Sequence, residues 1–161
     1  MVRFPFLARY HDLVSAIQIR RAARRDIGAI LRIEGASFLA DAWDFASFLD
    51  YLRACKDLFL VAMLDGRIAG YAIACVAPEG AEIDSIAVHP RYRGRGVAGA
   101  LMRETLAAVR RRRAAACFLT VRRSNRDAIA LYRGFGFVVT RTLPGYYEDG
   151  EDGWRMRRRL A

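Results

Sequence analysis

The chain has 161 residues, 54% of them hydrophobic, and sets 27 lysines and arginines against 17 acidic residues for a formal net charge of +10. That length fits one domain with a core, the apolar share excludes a disordered chain, and no apolar run reaches the ~18 residues of a membrane helix. Every basic residue but Lys56 is arginine, a balance that favours anionic partners: a phosphorylated cofactor, an acidic peptide or nucleic acid.

Residues 1–16 read as an N-terminal extension and 17–161 as a single domain. Phe4, Phe6 and Leu7 are broken up by Pro5 and Arg9, too short a run for a signal-peptide core. Ile17 to Arg20 alternates as a first strand. From Arg24 to Phe38 the apolar residues Ile27, Ile30, Leu31, Ala36 and Phe38 keep helical spacing, and Trp43 to Cys55 reads as a second helix. Leu58–Leu64, Asp65-Gly66 and Arg67–Val76 form a hairpin whose Asp-Gly suits a turn at positive φ. Pro78-Glu79-Gly80 turns the chain into a third antiparallel strand, Ala81 to Val88.

After His89-Pro90 comes Arg93-Gly94-Arg95-Gly96-Val97-Ala98, a turn that opens an amphipathic helix running to about Arg112. Glycines let the backbone approach a ligand, and the free N–H groups of a first helical turn hold phosphate with the helix dipole behind them. Arg93 and Arg95 can add charge-assisted contacts. Cys117–Val121 reads as a strand, Arg126–Arg133 as a short helix, Phe135–Thr140 and Trp154–Leu160 as the last two strands. The order β-α-α-β-β-β-α-β-α-β-β predicts an α/β domain with a mixed, mostly antiparallel central sheet and helices on both faces.

Gly94 to Gly99 also spells GxGxxG, but five residues separate it from the preceding strand and no acid follows at the distance a ribose needs, so a dinucleotide fold is excluded. Cys55, Cys75 and Cys117, odd in number and widely spaced, read as reduced buried thiols of a cytoplasmic protein with no metal site. The arginine runs 110–113 and 155–159 read as solvated faces, which leaves nucleic acid an unlikely partner except through a ribosome.

The spacing Arg93-x-x-Gly96-x-Ala98, the segment Glu82 to Gly96, and Ser124-Asn125-Arg126-Asp127-Ala128-Ile129-Ala130-Leu131-Tyr132 together resemble the GNAT superfamily of acetyl-CoA-dependent N-acetyltransferases. Asn125 with Tyr132, and Tyr146-Tyr147-Glu148-Asp149-Gly150-Glu151-Asp152, are similar to the ribosomal-protein-alanine and other protein N-terminal acetyltransferases. The resemblance implies acetyl-CoA as co-substrate, no metal, and an amine acceptor, a protein N-terminus ahead of lysine or a small-molecule amine. A domain that binds acyl-CoA but has lost its chemistry is the rival.

By the same resemblance, backbone groups of Ile86, Ala87 and Val88 pair with pantetheine, the turn formed by Arg93, Gly94, Arg95, Gly96, Val97 and Ala98 holds the pyrophosphate, and Asn125 reaches the pantetheine arm or caps its own helix. Tyr132 is the general acid for the departing thiolate, and the Val88 N–H polarises the thioester. Where relatives often carry an acid or histidine as general base, this chain has Thr120. Glu82, in Ala81-Glu82-Ile83, instead resembles the strand glutamate that lysine acetyltransferases of the superfamily use as base, the alternative being a solvated strand face. Asp84 on the same side of the strand is the second candidate, and a substrate arriving neutral needs neither. Tyr146 and Tyr147 are expected to grip the acceptor peptide, with the acidic residues 148–152 facing its cationic end and the loop from Phe38 to Trp43 forming the other wall.

Overall fold

Seven strands make one sheet in a computed structural model that describes residues 16–38 and 41–160; the expected extension lies, but for Ala16, outside them. β1 (Gln18–Arg21) leads through a short 3-10 turn into α1 (Ile27–Ser37) and α2 (Phe45–Cys55). The meander β2 (Phe59–Leu64), β3 (Arg67–Ala77) and β4 (Gly80–Val88) follows, then α3 (Val97–Arg111), β5 (Ala116–Arg122), α4 (Arg126–Gly134), β6 (Val138–Leu143) and β7 (Gly153–Arg159). The expected order of elements is the observed one. Asp65 and Gly66, at φ +52° and +71°, form the hairpin turn between β2 and β3.

The period of two sorts the core onto two faces. Phe59, Tyr71 and Phe48 of α2 meet on one, with Phe48 edge-on to Tyr71 at 5.6 Å. Leu60, Ala62 and Ala72 point the other way and pack with Val97 and Leu101 of α3. Gly70 sits between β4 and α3 with no room for a side chain: an added Cβ would lie 2.7 Å from the Ala87 carbonyl oxygen and 3.2 Å from Val97 and Leu101. Gly70→Ala is therefore expected to destabilise the fold by about 1–3 kcal/mol, read as a lower urea midpoint at unchanged m-value. An unchanged midpoint would show that β3 and β4 yield at that point.

What positions a cleft is the place where the sheet comes apart. In the order β1-β2-β3-β4-β5-β7-β6 the contact of β4 with β5 is the parallel one, and it extends only over Ala81–Ile83 against Cys117–Leu119. On its other side β4 pairs with β3 throughout, but Ile73 faces Ser85 while Ala74 faces Ile83. Asp84 is thus an extra residue, a bulge that bends the strand away from its neighbour. β5 stays paired along its whole length with β7 instead. Beyond Ile83 the two strands splay and leave a cleft of about 710 Å³.

Two expectations need correction. β6 starts at Val138, not Phe135, because α4 runs on to Gly134. Phe135 then closes the helix with its N–H on the Leu131 and Tyr132 carbonyls, Gly136 turns at φ +82°, and Phe137 is buried as a plug. The apolar pair belongs to the helix end. Cys55 and Cys75, expected as separate thiols, are joined as a disulfide; Cys117 is the free cysteine, buried in the core. The sequence separation of 20 hides a Cα–Cα distance of 5.0 Å, which arises only when the end of α2 lands on β3.

Candidate active site

Of the residues expected to hold the cofactor, Ile86 and Asn125 line the cleft, whereas Ala87, Val88 and the Gly/Arg turn from Arg93 to Ala98 follow Ile86 along the chain and lie outside that lining. Gly94 and Gly96 sit at φ +72° and +83°, and Gly96 is the N-cap of α3, so the first N–H groups of a 15-residue helix face outward. Both arginine side chains are engaged by protein: Arg93 Nε donates to the Val88 carbonyl at 3.3 Å, and Arg95 pairs with Asp65 of the hairpin at 3.0 Å. What this turn offers a phosphate is chiefly backbone N–H. Ile86, Ala87 and Val88 run from the splay toward it, along the edge of β4 that β5 has left. His89, whose side chain accepts from the Arg91 N–H, fixes the exit from the strand.

Tyr132 and Asn125 reach the cleft from α4. The Asn125 side chain accepts the Ala128 N–H at 3.2 Å and so caps its helix. Tyr132 is 7% exposed, packs edge-on against Phe137 at 6.1 Å, and lines the cleft with a hydroxyl that has no hydrogen-bond partner among the described residues. Burial, and secondarily the nearby Tyr147, raises its pKa, so the proton stays on at neutral pH.

Glu82, Asp84 and Thr120 line the same cleft, but in different electrical states. Arg155 of β7 bridges the Glu82 carboxylate and the Thr120 hydroxyl, the latter at 3.3 Å. Glu82 is thus a paired charge. Asp84, pushed out by the bulge, has its pKa raised to about 6, first by desolvation and then by the adjacent Glu82, with Arg155 pulling the other way. Of the two candidate bases, Asp84 is the one poised to take a proton near neutrality.

Arg122, at the end of β5, ties the opposite walls together. Its guanidinium meets Asp41 between α1 and α2, and Asp149 and Glu151 of the β6–β7 loop at 2.8 Å each, while stacking 4.0 Å over the Tyr147 ring. Tyr146 and Tyr147 pack edge to face at 5.1 Å, with Tyr146 56% exposed. The acidic patch expected to face a cationic acceptor is therefore largely spent inside the protein: Asp149 and Glu151 on Arg122, and Asp152 on Arg123 at 3.8 Å and on the Gly145 N–H. Hydrogen bonds from Ser124 and then Arg122 hold the Glu151 carboxyl down at about 2.

Sequence reasoning missed Glu34, Tyr51, Ser85 and Arg122, all of which line the cleft. Glu34 had a signal: it stands seven residues after Ile27, on the apolar stripe of α1, where a carboxylate needs a reason. It is 2% exposed, bonded to the Tyr71 hydroxyl and to the Trp43 N–H at 3.0 Å, and burial raises its pKa. Tyr71 passes the network on to Ser85 at 3.0 Å. Arg122 had none, since its partners lie 27, 29 and 81 residues away.

Residues 25–137 match the acetyltransferase (GNAT) family. An N-alpha-acetyltransferase of Sulfolobus acidocaldarius is 34% identical over 153 residues, covering 86% of this chain and 90% of that protein. Among solved structures, Ard1 from Thermoplasma volcanium superposes with a TM-score of 0.85 at 32% identity, over 91% of this chain and 99% of its own. The ribosomal-protein-S18-alanine N-acetyltransferase from Escherichia coli does so with 0.80 at 28%, over 91% and 95%.

Proposed function

The chain belongs to the GNAT family of acetyltransferases and moves an acetyl group from acetyl-CoA to an amine; from that premise we propose that the acceptor is a protein N-terminal α-amine. One observation carries the reading. Across the splay of β4 and β5, a Tyr132 hydroxyl with no hydrogen-bond partner among the described residues and the carboxylate of Asp84 line one cleft, and the Tyr146–Tyr147 pair lines it too. Flat aromatic walls suit an extended peptide end. The names of the relatives, an N-alpha-acetyltransferase and an enzyme for the alanine of ribosomal protein S18, favour the same acceptor.

In this scheme the splayed edge of β4 at Ile86, Ala87 and Val88 receives the pantetheine amides, and the Val88 N–H polarises the thioester carbonyl. N–H groups of the turn from Arg93 to Ala98 take the pyrophosphate, and Asn125 lines the path between. Asp84 accepts the proton of the incoming ammonium, with Glu82, held on Arg155, as the second carboxylate. The neutral amine attacks the carbonyl carbon, the tetrahedral oxyanion collapses, and the C–S bond breaks. Tyr132 donates to the departing thiolate, the second proton shed by the attacking nitrogen returns to the tyrosine oxygen, and the proton held on Asp84 passes to solvent.

The test is thiol release from acetyl-CoA against matched N-terminal peptides, lysine peptides and polyamines. N-terminal peptides are expected to be acetylated with a kcat/KM at least ~10-fold above the others, since α-amines are far more often neutral at pH 7 than lysine amines. Faster turnover of a lysine peptide or polyamine would move the assignment to that acceptor. Tight CoA binding with no turnover on any amine would favour an acyl-CoA sensor.

A further inference from the structure

We infer that Cys55 and Cys75 form a thiol–disulfide exchange site through which low-molecular-weight thiols and disulfides set the firmness of the acceptor wall. The site itself stands apart from the acetyl-transfer reading; only its kinetic consequence rests on that reading.

Cys55 is the last residue of α2 and is 5% exposed, whereas Cys75, on β3, is half-buried. Their Cα atoms, 5.0 Å apart, lie within the span a disulfide bridges without moving the backbone. The difference in exposure fixes the order of events. A small disulfide reaches Cys75 first: its thiolate attacks one sulfur, expels one thiolate and leaves a mixed disulfide. The Cys55 thiolate then attacks the Cys75 sulfur and expels the second. In sum the protein dithiol and RSSR give the protein disulfide and two RSH, two electrons passing to the small molecule, and excess RSH reverses it. Cys117, 0% exposed, takes no part.

The consequence runs along α2. Tyr51 lies one turn before Cys55 on the same helix face and lines the cleft. Trp43, which also lines it, is stacked on Tyr51 at 4.8 Å with ring planes 12° apart. On the other side the Asp84 carboxylate lies within 4.8 Å of both sulfurs. The cross-link thus pins the last turn of α2 to the sheet beside the candidate base, and Tyr51 and Trp43 with it. Opening it removes the covalent tie, leaves packing and the ion pairs of Asp57 just beyond the helix end, and frees a loop that the bond had closed. An enzyme that consumes acetyl-CoA works beside a thiol pool, where disulfides are usually transient and sensing rather than structural. A reversible pair fits that setting.

The experiment equilibrates the full chain in buffers of graded reduced-to-oxidised glutathione, then traps thiols with N-ethylmaleimide in denaturant and weighs the protein. Three labels are expected under reducing conditions and one under oxidising conditions, since the chain has three cysteines and the pair consumes two. Amide exchange over Phe45–Cys55 should quicken on reduction. The KM for the best acceptor should rise about fivefold, while kcat and the Kd of acetyl-CoA stay put. Cys75→Ser should show two labels and the reduced-state exchange and KM in every buffer. Three labels throughout would remove the site, and identical amide exchange in the two states would remove the coupling to α2. Both readouts hold whatever the acceptor proves to be, so a failure of the acetyl-transfer reading would be seen separately, as absent turnover.

Discussion

Tyr132→Phe is expected to lower kcat by about 100-fold while leaving the Kd of acetyl-CoA within about twofold. The substitution removes one oxygen and keeps the ring that packs on Phe137. Because that hydroxyl has no hydrogen-bond partner among the described residues, no buried partner is orphaned by its loss. Stability should therefore hardly change, and the thermal midpoint serves as the control. The defect should shrink with acyl donors whose thiol is a better leaving group, since those need the proton less. A kcat within about threefold of wild type would mean that the thiolate leaves unaided or is protonated by water, and Tyr132 would then be packing.

The second large effect is expected at Asp84, and it has a sign. Its carboxyl, raised to about 6 by desolvation and by Glu82, takes up a proton as the pH falls through that value and then cannot accept one from the amine. In the wild type, kcat/KM should rise with pH up to about 6 and level off above. In Asp84→Asn the cationic acceptor has nowhere to send its proton and must arrive neutral. The rising limb should then move to the acceptor's own ionisation, roughly pH 8 for an α-amine, with a loss of about 25-fold at pH 6.5. Glu82→Gln should lose much less, because Glu82 is already committed to Arg155. If instead Glu82→Gln moves the limb and Asp84→Asn does not, the proton goes to the ion-paired carboxylate and the bulge only shapes the strand.

The two predictions depend differently on the sequence. Tyr132 belongs to a contiguous stretch, Ser124 to Tyr132, that forms one turn and one helix. Whatever a local segment needs to fold, including the Asn125 cap, is written within it. The Gly/Arg turn is legible for the same reason: Gly94 and Gly96 stand where the chain needs positive φ and where α3 needs a start. Asp84 was legible only as a second choice. Strict alternation puts it beside Glu82, but its exposure to the cleft and its raised pKa come from a bulge, and a bulge is a register mismatch between two strands.

Other features were beyond any local reading. The acidic run 148–152 looked like a patch waiting for a cation, and its partners are not the arginines that follow it in the chain at 155 and 157–159. Arg122 at the end of β5 and Arg123 just past it take that place. Thr120 looked like a missing base, and in the fold it is a hydrogen-bond partner of Arg155, which also holds Glu82.

By itself the sequence determined the order of the elements, the phosphate-type turn and the candidate acid, since hydrophobic period, turn residues and capping act over a few residues and are read in place. Only the tertiary structure decided which carboxylate is free, which are paired, that Glu34 is buried under the cleft, and that Cys55 meets Cys75. Charge and proton affinity depend on neighbours within a few ångströms, and those neighbours come from strands and helices that the sequence keeps 20 to 81 residues apart.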